Sequence, residues 1–217
     1  MVLSRSLSAG FALLLLLAGC ATGRTEYRAG LVLHRDPNFS FQIPPDWRPA
    51  KSSDWMAFGA NQRVLQRMND YGKAQFQRAG ESEMARYAAV LISSHGSWIS
   101  ADIAENRGGI KFSRGYVLND SEKDAMWQGL ERAVVSGSPA TDKPKLRLDS
   151  MNVIDVGPNT FVKIRFQRED QRGSRAMTVL GFYGARLIVA VLHCGIPADP
   201  NEGIEGLDVI ARSFRFD

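Results

Sequence analysis

The residues of this chain best suited to chemistry are three histidines, two cysteines and one serine-rich turn. His193 and Cys194 are neighbours, and a thiol beside an imidazole is a nucleophile beside its base. Both follow Leu187-Ile188-Val189-Ala190-Val191-Leu192, a run with no polar residue that predicts a central strand. Successive strand side chains point to opposite faces. His193 therefore shares a face with Val189 and Val191, while Cys194 shares one with Ala190 and Leu192. No dyad forms between them without distortion, and Cys194 is expected to be a buried, inert thiol that packs as a small hydrophobe. Ser93-Ser94-His95-Gly96-Ser97 sets hydroxyls beside an imidazole but lacks the G-x-S-x-G elbow, and predicts a serine-rich turn after a strand. His34, His95 and His193 have neither i, i+4 nor short-loop ligand spacing, so no metal site is expected. No G-x-x-x-x-G-K-[ST] or G-x-G-x-x-G is present, and no nucleotide cofactor is expected. No catalytic, cofactor-binding or metal-ligating residue is expected.

Those side chains sit in a chain of ordinary globular make-up. It has 217 residues, 44% hydrophobic and 23% charged, with 27 Lys+Arg against 23 Asp+Glu. This excludes a wholly disordered, collagenous or multi-span membrane protein. Two cysteines are too few for a disulfide-stapled mini-protein or a four-cysteine zinc site. Arg63, Arg67, Lys73, Arg78 and Arg86 are scattered and interrupted by Asp70, Glu81 and Glu83. They read as a solvated face, and no nucleic-acid partner is expected. Trp47, Trp55, Trp98 and Trp127 are expected to serve mainly as core anchors.

The amino-terminal segment carries a different chemistry. Arg5 precedes Phe11-Ala12-Leu13-Leu14-Leu15-Leu16-Leu17-Ala18, the charged-then-apolar order of a secretory signal. The run is too short for a membrane-spanning helix, which needs about 20 apolar residues. Leu17-Ala18-Gly19-Cys20 closes it and resembles the lipobox of bacterial lipoproteins. The resemblance implies cleavage between Gly19 and Cys20, a diacylglyceryl thioether on the Cys20 sulfur, and acylation, of the palmitate type, at the new amino terminus. A thiol is required there because it is the nucleophile that forms the thioether. Several acyl chains, at about 0.8 kcal/mol per buried CH₂, hold a protein on a membrane where one would not. Ala21 follows the cysteine where an Asp would favour inner-membrane retention, so the resemblance points to the outer membrane, facing the periplasm. Cys194 is then a lone thiol in an oxidising compartment. Removing residues 1–19 takes away Arg5, leaving 217 − 19 = 198 residues with 26 basic and 23 acidic side chains, a net +3.

Residues 20–30 are polar and read as a lipidated tether; residues 31–217 read as one domain. Leu31-Val32-Leu33-His34-Arg35 and Phe39-Ser40-Phe41-Gln42-Ile43 predict strands around the turn Asp36-Pro37-Asn38, and Pro44-Pro45 ends the second. Residues 61–77 have helical spacing weakened by Gly72, and 86–93 predict a buried strand. Residues 97–115 give no clear pattern. Asn119-Asp120-Ser121 opens a helix with Met126, Trp127, Leu130, Ala133 and Val134 on its apolar face. Strands follow over 146–156, where alternation is irregular, 161–168 and 175–183, and then the central run. Asp199, Pro200 and Glu202 predict an N-cap, a first-turn proline and a capping-box partner for a last helix lined by Ile204, Leu207, Ala211 and Phe214. The order predicts an α+β fold, an antiparallel sheet with helices packed on it in an α/β/α sandwich.

Two short motifs add to this pattern. Phe39-Ser40-Phe41-Gln42-Ile43-Pro44-Pro45-Asp46-Trp47 resembles the opening of PsbP-like and DcrB-like domains, and residues 204–216, with Val209-Ile210-Ala211-Arg212-Ser213-Phe214-Arg215-Phe216, resemble their closing helix and tail. The resemblance implies a binding or assembly accessory rather than an enzyme, with a possible protein partner in the cell envelope. Two other expectations stand beside it. One is a periplasmic hydrolase using His95 or His193; the other is a structural domain that spaces or shields the membrane surface.

Overall fold

The computed structural model describes residues 23–36, 38–51, 53–54, 87–136, 143–170, 173–196, 199 and 201–216. Gly19, Cys20, Trp55 and the helical pattern at 61–77 lie outside the described residues. In chain order the described elements are β1 (Arg24–Arg28), β2 (Leu31–Arg35), β3 (Phe39–Gln42), β4 (Trp47–Pro49), β5 (Ala89–Ser93), β6 (Trp98–Glu105), α1 (Asp120–Ser136), β7 (Lys145–Val156), β8 (Asn159–Asp170), β9 (Gly173–Tyr183), β10 (Leu187–Cys194), α2 (Gly206–Ser213) and β11 (Arg215–Phe216).

The strands form two sheets with antiparallel pairing throughout, in the orders β4-β5-β6-β10-β9-β8-β7 and β1-β2-β3-β11. The all-apolar run forms β10, the middle strand of the large sheet. On one face of that sheet Ile164, Phe166, Val179 and Ala190 pack under Met126 and Leu130 of α1. On the other face, Phe161, Leu180, Phe182 and Val189 meet Val32, Phe39 and Phe41 of the small sheet with Leu207 and Ile210 of α2. The molecule is α+β in three layers, as the patterning predicts. The second outer layer, however, is shared between a helix and a second sheet.

Phe214 closes this inner layer. Its ring stacks on Phe182 at 3.9 Å between centroids and lies 5.9 Å from Phe39 and 6.5 Å from Phe41. Aromatic pairs of this kind add about 0.5–1.5 kcal/mol beyond the area they bury.

Two expectations change, over residues 24–28 and at the start of the last helix, and two passages without a clear pattern are accounted for. Within the predicted tether, 24–28 form β1: Thr25 donates to the carbonyl of Ala88, and the Tyr27 hydroxyl accepts the Val90 N–H at 3.4 Å. Polar composition concealed this strand because its side chains bond rather than pack. The unread stretch 97–115 contains β6, buried along nearly all its length, whose Ser100 and Asp102 interrupt the apolar pattern. The irregularity in β7 is a register shift between Leu148 and Ser150, a bulge that throws the alternation out of step. The last helix begins at Gly206, not after Asp199.

Candidate functional site

The polar residues singled out by sequence gather where the β5–β6 turn meets residues 199–205. Gly96, at φ +98°, turns the chain where a side chain would be strained. The Ser93 hydroxyl accepts the N–H groups of His95 at 3.3 Å and Ser97 at 3.1 Å, then donates to Glu202 Oε2 at 3.3 Å. Glu202 Oε1 stands 3.5 Å from His95 Nδ1. The backbone carbonyl of Glu202 accepts Ser97 Oγ at 3.3 Å and His193 Nε2 at 2.8 Å. One glutamate thus gathers two serines and two histidines.

Glu202 is free to do this because the predicted capping box does not form. Asp199 Oδ1 accepts the N–H of Asn201 at 3.1 Å, and three-residue turns run to Asp208. Gly203 sits at φ +78°, and a Cβ there would lie 2.5 Å from Trp47 Cζ2 and 3.2 Å from His193 Nε2. The helix therefore starts after this glycine, and the Glu202 carboxylate turns to the serines. Sequence reasoning gave Glu202 the wrong partner; Gly203 immediately after it was the available signal.

A carbonyl only accepts, so His193 carries its proton on Nε2, leaving Nδ1 buried without a partner. Burial pushes the His193 pKa down, against the opposing pull of its bond to the Glu202 backbone and the Glu202 charge. His34 behaves likewise at a separate place. Its Nδ1 lies 2.7 Å from Thr25 Oγ1, whose own proton goes to the Ala88 carbonyl; Nε2 is buried without a partner. Burial lowers this pKa too, opposed by Asp36.

A serine hydrolase needs an imidazole with its two nitrogens facing opposite ways, one to the acid and one to the nucleophile. At His95 both Ser94 Oγ, at 3.2 Å, and Glu202 Oε1 approach Nδ1. The Ser93 hydroxyl already holds the turn together. The arrangement ties the 93–97 turn to the 199–205 segment through charge-assisted and neutral hydrogen bonds. His193 and Cys194 face opposite sides: Trp47 meets the imidazole edge-on at 6.2 Å, whereas Cys194 packs with Ala190 and donates to the Gly195 carbonyl at 3.6 Å. Among the described residues no three His, Cys, Asp or Glu side chains converge as metal ligands. A second polar cluster escaped the sequence reading: Asp170, whose carboxylate is shielded at the β8–β9 end, accepts Arg168 Nε at 2.9 Å and the Arg175 guanidinium. It reads as a structural ion cluster.

No family model and no curated protein matches the chain. Among solved structures, the solution structure of cyanobacterial PsbP (CyanoP) from Synechocystis sp. PCC 6803 superposes with a TM-score of 0.51. The match covers 92% of this chain and 95% of that one, at 11% identity. The fold is PsbP-like. At that identity the likeness speaks for the fold alone, and a PsbP-like domain takes its function from the surfaces built on it.

Proposed function

We propose that this chain is an envelope lipoprotein, held on a membrane through Cys20, whose PsbP-like domain binds or supports another envelope component without catalysing a reaction. The observation that carries the reading is Leu17-Ala18-Gly19-Cys20 closing an apolar run that follows Arg5. Ala21 after the cysteine favours the outer membrane, with the domain in the periplasm. The structural bonds that occupy Ser93 and His193 support a non-enzymatic role. Mass spectrometry of the processed protein is expected to find Cys20 at the amino terminus bearing acyl chains. Crosslinking in intact cells followed by purification is expected to recover one specific partner. An unprocessed or unacylated amino terminus would sink the anchor, and a monomer with no partner across several growth conditions would sink the accessory role.

A second reading, a hydrolase, is motivated by a serine and a carboxylate beside the exposed ring of His95; both approach Nδ1, so it requires the ring to turn until one of them meets Nε2. Turnover of simple esters or amides that disappears in both Ser94→Ala and His95→Ala would establish it. Turnover unchanged by either substitution would remove that site from consideration.

A further inference from the structure

The amino-terminal end of the domain carries features that the anchoring reading leaves unexplained. Gly23 lies against the backbone of Arg35 and Asp36, at the turn between β2 and β3. Beyond that turn Phe39 pairs with Phe216, whose ring abuts Gly184 in the β9–β10 turn. Asn106, a buried residue, bonds the carbonyls of Gly184 at 2.7 Å and Ile110 at 2.8 Å, so the loop after β6 joins the same end. Arg114 reaches the carbonyl of Gly157 in the β7–β8 turn, and Gly115 donates to Asp155 at 2.8 Å. One end of the molecule is therefore made of the turns β2–β3, β7–β8 and β9–β10, the 106–119 loop and the point where the chain leaves toward Cys20.

These segments expose six bases: Arg24, Arg35, Arg107, Lys111, Arg114 and Arg186. Their acids are Asp36, Glu105, Asp155 and Glu26, the last 3.6 Å from Arg24, giving 6 − 4 = +2, with Asp120 and Lys123 pairing at the rim at 4.0 Å. The same end carries Val117, 83% exposed, and Phe216, 39% exposed, two of the three large apolar side chains left exposed among the described residues. Exposed apolar residues among bases are the composition that seats a surface on anionic headgroups. The reach of the tether sets the geometry. From Cys20 to Gly23 the chain spans at most about 11 Å, comparable to the screening length at 0.1 M salt of about 10 Å.

We propose that this end docks on an anionic phospholipid surface, with Val117 and Phe216 at the headgroup level and the bases on the phosphates. The inference rests on lipidation at Cys20. It fixes the orientation of the domain. β6 runs from Trp98, beside the Glu202 cluster, to Glu105 at the membrane end, about 23 Å away. The Ser93–Ser97 turn therefore faces away from the bilayer.

The test uses the processed, lipidated protein with a photo-crosslinking residue at position 117 or, as a control, position 94. It is bound to vesicles of phosphatidylcholine alone or with phosphatidylglycerol added. Lipid adducts are expected at 117 and not at 94, and several-fold more on the anionic vesicles. The excess should vanish in molar salt and in Arg35→Glu/Lys111→Glu/Arg186→Glu, three side chains with no described hydrogen bond, provided the variant melts like the parent. Equal yields on both vesicles, an excess that survives the charge reversals, or adducts at 94 matching those at 117 would overturn docking while leaving the anchor intact. Failure to sediment with either vesicle would overturn the anchor, and docking with it. Crosslinks at 117 in intact cells that capture a protein or a second copy instead of lipid would assign the surface elsewhere and overturn the proposal.

Discussion

At the scale of single residues, Glu202 and the two buried histidines have the most to lose. Glu202→Ala removes the acceptor of the buried Ser93 hydroxyl and the neighbour of His95. A buried donor left without a partner costs about 1–3 kcal/mol, so urea unfolding should show a loss in that range with an unchanged m-value. His34 and His193 set a pH dependence. Their pKa values are lowered from 6.5 by burial, so below 6.5 the unfolded chain binds protons that the folded chain refuses. The unfolded state then holds more protons, and stability rises with pH in that window. Stability is full above 6.5 and is lost as pH falls toward the folded pKa values. Urea midpoints measured from about pH 8 to about pH 5 should decline over this range, before carboxylates titrate. His193→Gln should flatten the decline by up to one proton's share; an unchanged slope would remove His193 as a contributor. The separation of His193 from Cys194 was legible in the sequence because period two alone decides it. The meeting of His193 with Glu202 was not, since it depends on a tertiary approach between β10 and a turn.

Elements fail or succeed in the sequence according to how far packing obeys a local period. α1 and β10 were legible: Met126, Leu130 and Ala133 recur at helical spacing, and the β10 run is apolar on both faces because both faces are covered. Asn119 and Glu122 complete α1 with reciprocal bonds of 2.9 Å, a capping box spelled by Asn119-Asp120-Ser121-Glu122. β1 and β6 were hidden because Thr25, Ser100 and Asp102 occupy positions where an apolar side chain would have marked the strand. The start of α2 was misplaced because Asp-Pro-x-Glu is a sound start signal that Gly203 overrules. Gly203→Ala tests that account. It forces a strained φ and drives a methyl into Trp47, so a loss of about 2 kcal/mol or more is expected. The same measurement should show weaker indole burial by Trp fluorescence, since Trp47 must give way. A variant as stable as the parent would mean that α2 starts elsewhere.

For the whole molecule, the layer architecture was legible from element order, but the division into two sheets was not. Nothing local in β3 specifies β11 as its neighbour, and nothing in β6 specifies β10. The anchoring proposed through Cys20 also belongs to this scale. Cys20→Ser is expected to abolish acyl mass at the amino terminus and release of the processed form, measured by mass spectrometry of membrane fractions. Normal processing and membrane recovery in that variant would remove Cys20 from the anchor. The pairing of β3 with β11 has a further consequence, for the order in which the chain acquires its structure. Phe39 and Phe216 are 216 − 39 = 177 positions apart. During synthesis from the amino terminus, Phe39 and Phe41 exist long before Phe214, the ring that covers them. Contacts of such long range slow folding, because loop closure must precede any gain from them. Until Phe214 and β11 are made, the nascent chain carries an unfinished aromatic layer over Phe39 and Phe41.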